Sequence, residues 1–70
     1  MTFINHFLVR EYDGFTLTTF KRGDHFRVLI SKKSDVNKSM VVIDAADGQY
    51  PYWAVSLAKQ RVDVINRFRD

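Results

Sequence analysis

The chain contains no cysteine, only one proline and only three glycines among its 70 residues. Without cysteine, disulfide bonds and thiolate metal sites are excluded, and a reducing environment is the simplest expectation. The scattered positions of Gly14, Gly23 and Gly48 exclude a glycine-rich phosphate-binding loop. No apolar run approaches the roughly 18 residues of a transmembrane helix, so we expect no membrane partner.

The first residues also lack the features of an export signal. The segment MTFINHFLVREYD has no basic head, no long apolar stretch and no cleavage site made of small residues. Together with the absence of cysteine, this pattern predicts a cytoplasmic protein.

Side chains suited to catalysis or metal binding are few. His6 and His25 are isolated in the sequence, and Asp44 and Asp47 lack the surrounding oxygen ligands of a cation-binding loop. A chain of this length seldom forms the cleft in which a nucleophile, a base and an orienting group meet. We therefore expect a binding protein and not an enzyme, with no catalytic residues, no metal and no cofactor.

The chain does have the composition of a folded globule. Its hydrophobic content of 46% and aromatic content of 14% are too high for a disordered segment. Seventy residues predict a single small domain spanning 1–70 with a thin core.

The clearest local pattern is FTLTTF-KRGD-HFRVLIS, in which two alternating runs flank Arg22-Gly23 and predict a β-hairpin. Pairing across that turn places Leu17 opposite Val28 on an apolar face, and a bulged turn would shift the register by one residue. The predicted apolar face consists of Phe15, Leu17, Thr19, Phe26, Val28 and Ile30. The opposite face consists of Thr16, Thr18, Phe20, His25, Arg27 and Leu29.

Two further elements follow the hairpin. MVVIDA is almost continuously apolar, which predicts a strand covered on both faces or placed centrally, and Asp47-Gly48 predicts a turn after it. Pro51 suits the first turn of a helix that begins near residues 52–54 and runs to about Arg69. Alternatively, QYPYWAV forms a further strand and a shorter helix follows.

Residues 3–12 fit two interpretations. The spacing of Phe3 and Phe7 suits a helix, whereas Asp13-Gly14 between two apolar runs predicts a hairpin, which is the stronger local signal. The predicted fold is α+β: an antiparallel β-meander of three or four strands with one C-terminal α-helix packed on one face.

The order of three strands followed by a helix is similar to that of the arm-site DNA-binding domains of tyrosine integrases and of the plant AP2 domain, which insert their sheet into the major groove. This resemblance concerns the fold alone, and a fold does not dictate function. The chain also resembles small bacterial and phage open reading frames with an aromatic-x-Gly-aromatic segment before the strands and Ala-x-x-x-aliphatic-Asp in the helix. The matching residues are Tyr12, Gly14, Phe15, Ala58, Val62 and Asp63. This second resemblance implies the fold and no particular activity.

Positive charge is concentrated in one part of the chain. The net charge is +3, and the segment from Lys21 to Lys38 has six basic residues against two acidic ones. This predicts a non-enzymatic protein, of phage or mobile-element origin, that binds DNA or RNA through a basic β-hairpin. The same charges would also suit a solvated sheet face without a ligand. The candidate nucleic-acid-binding residues are Lys21, Arg22, His25, Arg27, Lys32 and Lys33.

The segment YPYW supports an alternative function. Its three aromatic residues either close one end of the core, which is the more frequent use, or form an exposed contact surface of the kind that dominates protein interfaces. The alternative is a protein-binding inhibitor or adaptor that uses YPYW and the C-terminal helix. A homodimer is also compatible, because Val55 and Val62 make the apolar arc of the helix wider than one sheet face covers. The candidate interaction residues are Tyr50, Tyr52, Trp53 and Arg61.

Arg61 interrupts the apolar face of this helix. In a helical projection it falls in the middle of the predicted core-facing arc, between Leu57 and Ile65, where an apolar side chain is expected. The apolar residues of that arc are Ala54, Leu57, Ala58, Val64, Ile65 and Phe68. Either its aliphatic stem packs there while the guanidinium reaches solvent, or the whole side chain is buried and paired with Asp44. The first interpretation is favoured.

Overall fold

The computed structural model describes residues 6–68. In this part of the chain, four antiparallel strands form one sheet in sequential order and a helix follows them. The elements are β1 (His6–Tyr12), β2 (Phe15–Arg22), β3 (His25–Lys33), β4 (Met40–Gly48) and α1 (Pro51–Arg67). The predicted α+β meander is confirmed in its four-stranded form, and the alternative with a strand at QYPYWAV is wrong.

The first hairpin closes on Asp13-Gly14. Both residues have positive φ, 53° and 90°, as a type I′ turn requires, and Asp-Gly is a preferred pair for this turn. The predicted N-terminal strand is therefore confirmed from His6 onward. Residues 3–5, on which the helical alternative partly rested, lie outside the described residues.

The second hairpin turns on Gly23-Asp24 and not on Arg22-Gly23 as predicted. Its glycine has a φ of +64° at the first central position, where type II′ turns favour glycine. As a consequence Leu17 faces Ile30 and not Val28, a shift of two positions and not the one that a bulge would give. Because side chains alternate with a period of two, both faces keep their predicted members.

β4 lies at one edge of the sheet, since it is hydrogen-bonded only to β3 among the described strands. The prediction that MVVIDA is central or covered on both faces is therefore wrong, and Met40 to Ile43 are about half exposed. Asp47 and Gly48 belong to the strand, so the turn predicted there is also wrong. The chain bends one step later, at residues 49–50.

α1 packs against one face of the sheet and closes the core. Leu17, Val28 and Ile30 supply the large side chains from the sheet, and small side chains at Ala54 and Ala58 let the helix approach closely. The buried apolar residues are Phe15, Leu17, Val28, Ile30, Ala46, Ala54, Val55, Ala58 and Val62.

The buried stripe of α1 is rotated from the predicted one. Ala58 and Val62 are fully buried, whereas Val64 is 46% exposed and Phe68 is 82% exposed. Arg61 therefore lies beside the buried stripe and not in its middle. The sheet covers Val62 without a second surface, and the exposed Val64 lies on the side of the helix toward β4.

Candidate functional site

Three aromatic side chains form an exposed cluster at the start of α1. Tyr50 is the N-cap residue and Pro51 begins the helix, as predicted for a proline in a first turn. The ring of Tyr50 is stacked against Tyr52 and Trp53, with centroid distances of 5.9 and 6.2 Å and interplanar angles of 15° and 9°. Their exposed fractions are 48%, 74% and 49%. The prediction that YPYW closes one end of the core is therefore wrong, and Tyr50, Tyr52 and Trp53 are called the aromatic cluster below.

A groove of about 500 Å³ adjoins this cluster between β1 and α1, and Tyr52 lines it as well. Leu8 and Val55 contribute apolar surface to this β1–α1 groove, while Arg10 and Lys59 contribute positive charge. Neither cation forms a salt bridge with a carboxylate within residues 6–68. The groove thus combines an apolar lining with two cations that have no acidic partner in the described part of the chain.

Tyr12 connects β1 to α1 next to this groove. Its hydroxyl donates a hydrogen bond of 2.9 Å to Oδ1 of Asp63, and the Lys59 ammonium lies 5.4 Å from the centroid of its ring. The hydrogen bond to the Asp63 carboxylate raises the pKa of Tyr12 above its usual 10.0. Desolvation and the negative charges of Asp63 and Asp13 make smaller contributions in the same direction. Each of these effects disfavours the phenolate.

This contact predicts a measurable titration. We expect the difference in phenolate absorbance between the wild type and Tyr12→Phe to show a midpoint above 10.0, and Asp63→Asn to bring that midpoint down. Because the unfolded tyrosine ionises first, the stability from this contact is complete below pH 10.0 and is lost as the pH rises through the raised pKa. Asp24→Asn, at the exposed β2–β3 turn, is the control. An unchanged midpoint in Asp63→Asn would contradict the assignment.

The basic residues predicted to bind nucleic acid are divided between two faces of the sheet. Strand alternation places Arg22, His25, Arg27 and Lys33 on the open face, away from α1. Lys21 and Lys32 lie on the helix-bearing face, and the Lys32 ammonium is 5.7 Å from the centroid of the core residue Phe15.

The same residues are also divided between the two ends of β3. At about 3.3 Å per residue, His25 and Lys33 are roughly 26 Å apart along the strand. This separation exceeds the Debye length of about 8 Å at physiological salt, so the two ends act as separate weak patches.

Arg27 is engaged by a carboxylate on the neighbouring strand. Its Nε donates a 2.7 Å hydrogen bond to Oδ1 of Asp47, and its Nη2 donates a 3.1 Å hydrogen bond to Oδ2. The hydrogen bond raises the pKa of Arg27 and lowers the pKa of Asp47. The stability from Asp47 is therefore present above its unfolded pKa and lost as the pH falls through the lowered value. A phosphate would have to compete with Asp47 for this guanidinium.

Arg61 combines parts of both interpretations made from the sequence. Its side chain is 54% exposed, as the favoured interpretation predicts, yet its Nη1 donates a 3.3 Å hydrogen bond to Oδ2 of Asp44. The pair thus has the predicted partner without the burial, and an exposed pair of this kind stabilises the fold little.

Arg61 and Asp44 also line a second groove of about 360 Å³, together with Leu57 and Val64. This is the β4–α1 groove.

Several residues of these surfaces could not be recognised in the sequence. Leu8 and Arg10 come from β1 and Lys59 from α1, so only the fold brings them together. The exposed apolar edge of β4 did have a signal, the uninterrupted run MVVI, but that run is typical of a buried strand.

Comparison with known proteins adds no relative: no family model, no curated protein and no solved structure matches the chain significantly. Within residues 6–68, no group of three or more His, Cys, Asp or Glu side chains is placed to hold a metal ion. The helix α1, the one helix in the described part of the chain, is not long and apolar enough to cross a membrane. The functional proposal therefore rests on the geometry of the surfaces.

Proposed function

We propose that the protein is a small protein-binding module, an adaptor or inhibitor, that acts through the aromatic cluster and the β1–α1 groove. The observation that carries this proposal is the exposure of three stacked aromatic rings beside an apolar groove. Tyrosine and tryptophan are enriched among the residues that dominate binding energy, because they bury a large area and retain a polar group for the rim.

The aromatic cluster is organised for binding in the unbound chain. Stacking on Tyr50 restricts the rings of Tyr52 and Trp53, and Pro51 restricts the backbone between Tyr50 and Tyr52. A partner therefore orders few side-chain rotamers on contact, which lowers the entropic cost of association.

The β1–α1 groove indicates the chemistry of the partner. Leu8 and Val55 suit an apolar side chain, while Arg10 and Lys59, which form no salt bridge within residues 6–68, favour acidic residues beside it. The net charge of +3 favours the same partners through long-range attraction. We expect the ligand to be a peptide segment in which one apolar residue is flanked by aspartate or glutamate.

A peptide-binding measurement tests this proposal. Trp53 is the only tryptophan, so its fluorescence reports directly on the aromatic cluster. The probes are synthetic peptides with one apolar residue flanked by Asp and Glu, and the same peptides with Lys in place of the acids. We expect the acidic set to bind, and Tyr52→Ala to weaken the best peptide by at least about tenfold, which corresponds to ~1.4 kcal/mol.

Phe68→Ala is the matched control, since it removes an exposed aromatic ring at the other end of α1. We expect it to bind as the wild type does. Tyr52 is 74% exposed, so its removal should leave the fold intact. Equal affinity of wild type and Tyr52→Ala, equal binding of the two peptide sets, or binding by neither set would contradict the proposal.

Nucleic-acid binding by the β2–β3 hairpin is the second candidate, favoured by the charge excess between Lys21 and Lys38. It has less geometric support, because Asp47 holds Arg27 and the remaining cations are dispersed. Mixed-sequence duplex and single-stranded oligonucleotides in the same assay separate the two candidates. Affinity that falls steeply with salt, and falls further when Lys32 and Lys33 are both replaced by alanine, would favour the hairpin.

A further inference from the structure

The outer edge of β4 is apolar and uncovered in the described part of the chain. Met40, Val41, Val42 and Ile43 are 52%, 47%, 54% and 46% exposed. Since successive side chains of a strand point to opposite faces, this run presents apolar surface on both faces as well as unpaired backbone groups along the edge. Only β3 pairs with β4 among residues 6–68.

This edge lacks most of the features that keep edge strands from pairing. Natural edge strands are protected by charged side chains, proline or short length. The run from Met40 to Ile43 contains no charge and no proline, and β4 as a whole is nine residues long. A bulge is present opposite Ile30, but it interrupts the pairing with β3 and adds an apolar residue, Ile43, to the run. Three consecutive residues with high β propensity, Val41 to Ile43, follow the apolar Met40, and such a run suits pairing with another strand.

We propose that β4 pairs antiparallel with β4 of a second copy of this chain, centred near Val42. The two four-stranded sheets then join into one continuous sheet around a two-fold axis. The apolar run begins β4, whereas the aromatic cluster follows the end of this strand, so the inference does not rest on the proposed peptide-binding function.

The order of charges along β4 favours a second copy as the occupant. Positive charge lies at the start of the strand, with Lys38 just before it and Lys33 paired with Met40, and neither lysine forms a salt bridge within residues 6–68. The carboxylates of Asp44 and Asp47, in the second half, contact Arg61 and Arg27 of the same chain but remain 36% and 46% exposed, so they are accessible to a lysine of a second copy. Antiparallel pairing reverses one strand, so the basic start of each copy meets the acidic half of the other. The apolar run meets itself at the centre. The strand is thus complementary to its own reversed copy.

The exposed side of α1 supplies a second argument. A two-fold axis perpendicular to the joined sheet places both helices on the same face, one on each side of the new strand pair. The β4–α1 groove of each copy then faces that of the other, which covers Leu57 and the 46% exposed Val64. The helix flank adds area to the strand pair, toward the roughly 800 Å² per partner that stable interfaces bury.

Sedimentation velocity tests the proposal on the whole chain. Because dimerisation depends on protomer concentration, the protein is measured from about 1 to about 100 μM, and we expect wild type to be dimeric at the upper end. In Val42→Lys two like charges meet near the axis, so we expect the dissociation constant to rise by at least about a hundredfold. Circular dichroism is used to check that the variant remains folded.

Val9→Lys is the matched control on the other edge strand. Val9 is 55% exposed against 54% for Val42, so the same substitution on β1 should leave the dimer intact. A wild type that stays monomeric at the highest concentration would overturn the proposal. So would assemblies larger than a dimer, or equal effects of the two lysine variants.

Disulfide trapping provides a second measurement that does not depend on weakening the dimer. The chain has no cysteine, so Val42→Cys introduces a single thiol. Opposed residues of paired antiparallel strands have Cα atoms about 4.5–5.5 Å apart, within the range of a disulfide bond. We expect mild oxidation to link Val42→Cys rapidly and Val9→Cys slowly. Equal rates of disulfide formation in the two variants would show that the copies do not meet at β4 and would contradict the proposal.

Discussion

Gly48→Ala should destabilise the protein by about 1–3 kcal/mol, because it inserts a methyl group between the end of β4 and the first turn of α1. A Cβ atom at position 48 would lie 2.7 Å from the backbone nitrogen of Ala54 and 2.9 Å from its Cα. Both atoms belong to the helix backbone, so the clash is relieved only if the start of α1 moves away from the sheet. Urea unfolding followed by circular dichroism measures the change in the free energy of unfolding.

The same variant should also change the fluorescence of the folded state, since Trp53 precedes Ala54 directly. Removing the Ala54 side chain should not restore stability, because only the 3.1 Å contact involves its Cβ. Gly23→Ala is the control: a Cβ there meets nothing within 4 Å, and its cost comes only from a φ of +64°. It should leave the Trp53 spectrum unchanged. Stability and spectrum equal to wild type in Gly48→Ala would show that the contact is not tight.

Local chemistry explains which parts of the fold were predictable. Asp13-Gly14 and Pro51 specify their own backbone geometry, so the first turn and the start of α1 could be located without tertiary information. The β2–β3 register was not fixed in this way. Moving the turn from Arg22-Gly23 to Gly23-Asp24 shifts the partners by two positions, which leaves the same residues on the apolar face. The hydrophobic pattern therefore cannot distinguish the two registers.

Features that depend on distant parts of the chain were predicted less well. Whether MVVIDA is a central or an edge strand depends on where the N-terminal strand joins the sheet, and β1 joins at the opposite edge, beside β2. The rotation of α1 depends on its contact with the sheet. Ala54 and Ala58 allow the closest approach, and that approach determines which apolar side chains are buried.

The candidate surfaces divide in the same way. Tyr50, Tyr52 and Trp53 could be identified as a group because they are adjacent in sequence, but only the structure distinguishes a core role from an exposed one. The pairing of Arg27 with Asp47 follows from the β3–β4 register, which no local signal specifies. This is why the sequence predicts a basic hairpin, whereas in the structure the charge of its most central cation, Arg27, is neutralised by Asp47.

Thr19→Val should have a large effect of the opposite sign, stabilising the protein by about 1–2 kcal/mol. Thr19 is fully buried in β2, and its Oγ1 has no hydrogen-bond partner in the described part of the chain. Folding therefore removes this hydroxyl from water without replacing its hydrogen bonds. Valine has nearly the same shape and is also β-branched, so it fills the same space with a methyl group and keeps the strand propensity.

Thr18→Val tests whether this gain comes from burial and not from valine in a strand as such. Thr18 is the neighbouring residue on the open face and is only partly buried, so its hydroxyl remains hydrated and the substitution should change stability by less than about 0.5 kcal/mol. Urea unfolding of both variants gives the comparison. If Thr19→Val were destabilising, its hydroxyl would have to be hydrogen-bonded in the folded protein. A gain at Thr19 with none at Thr18 would identify the buried hydroxyl as a cost that this thin core carries.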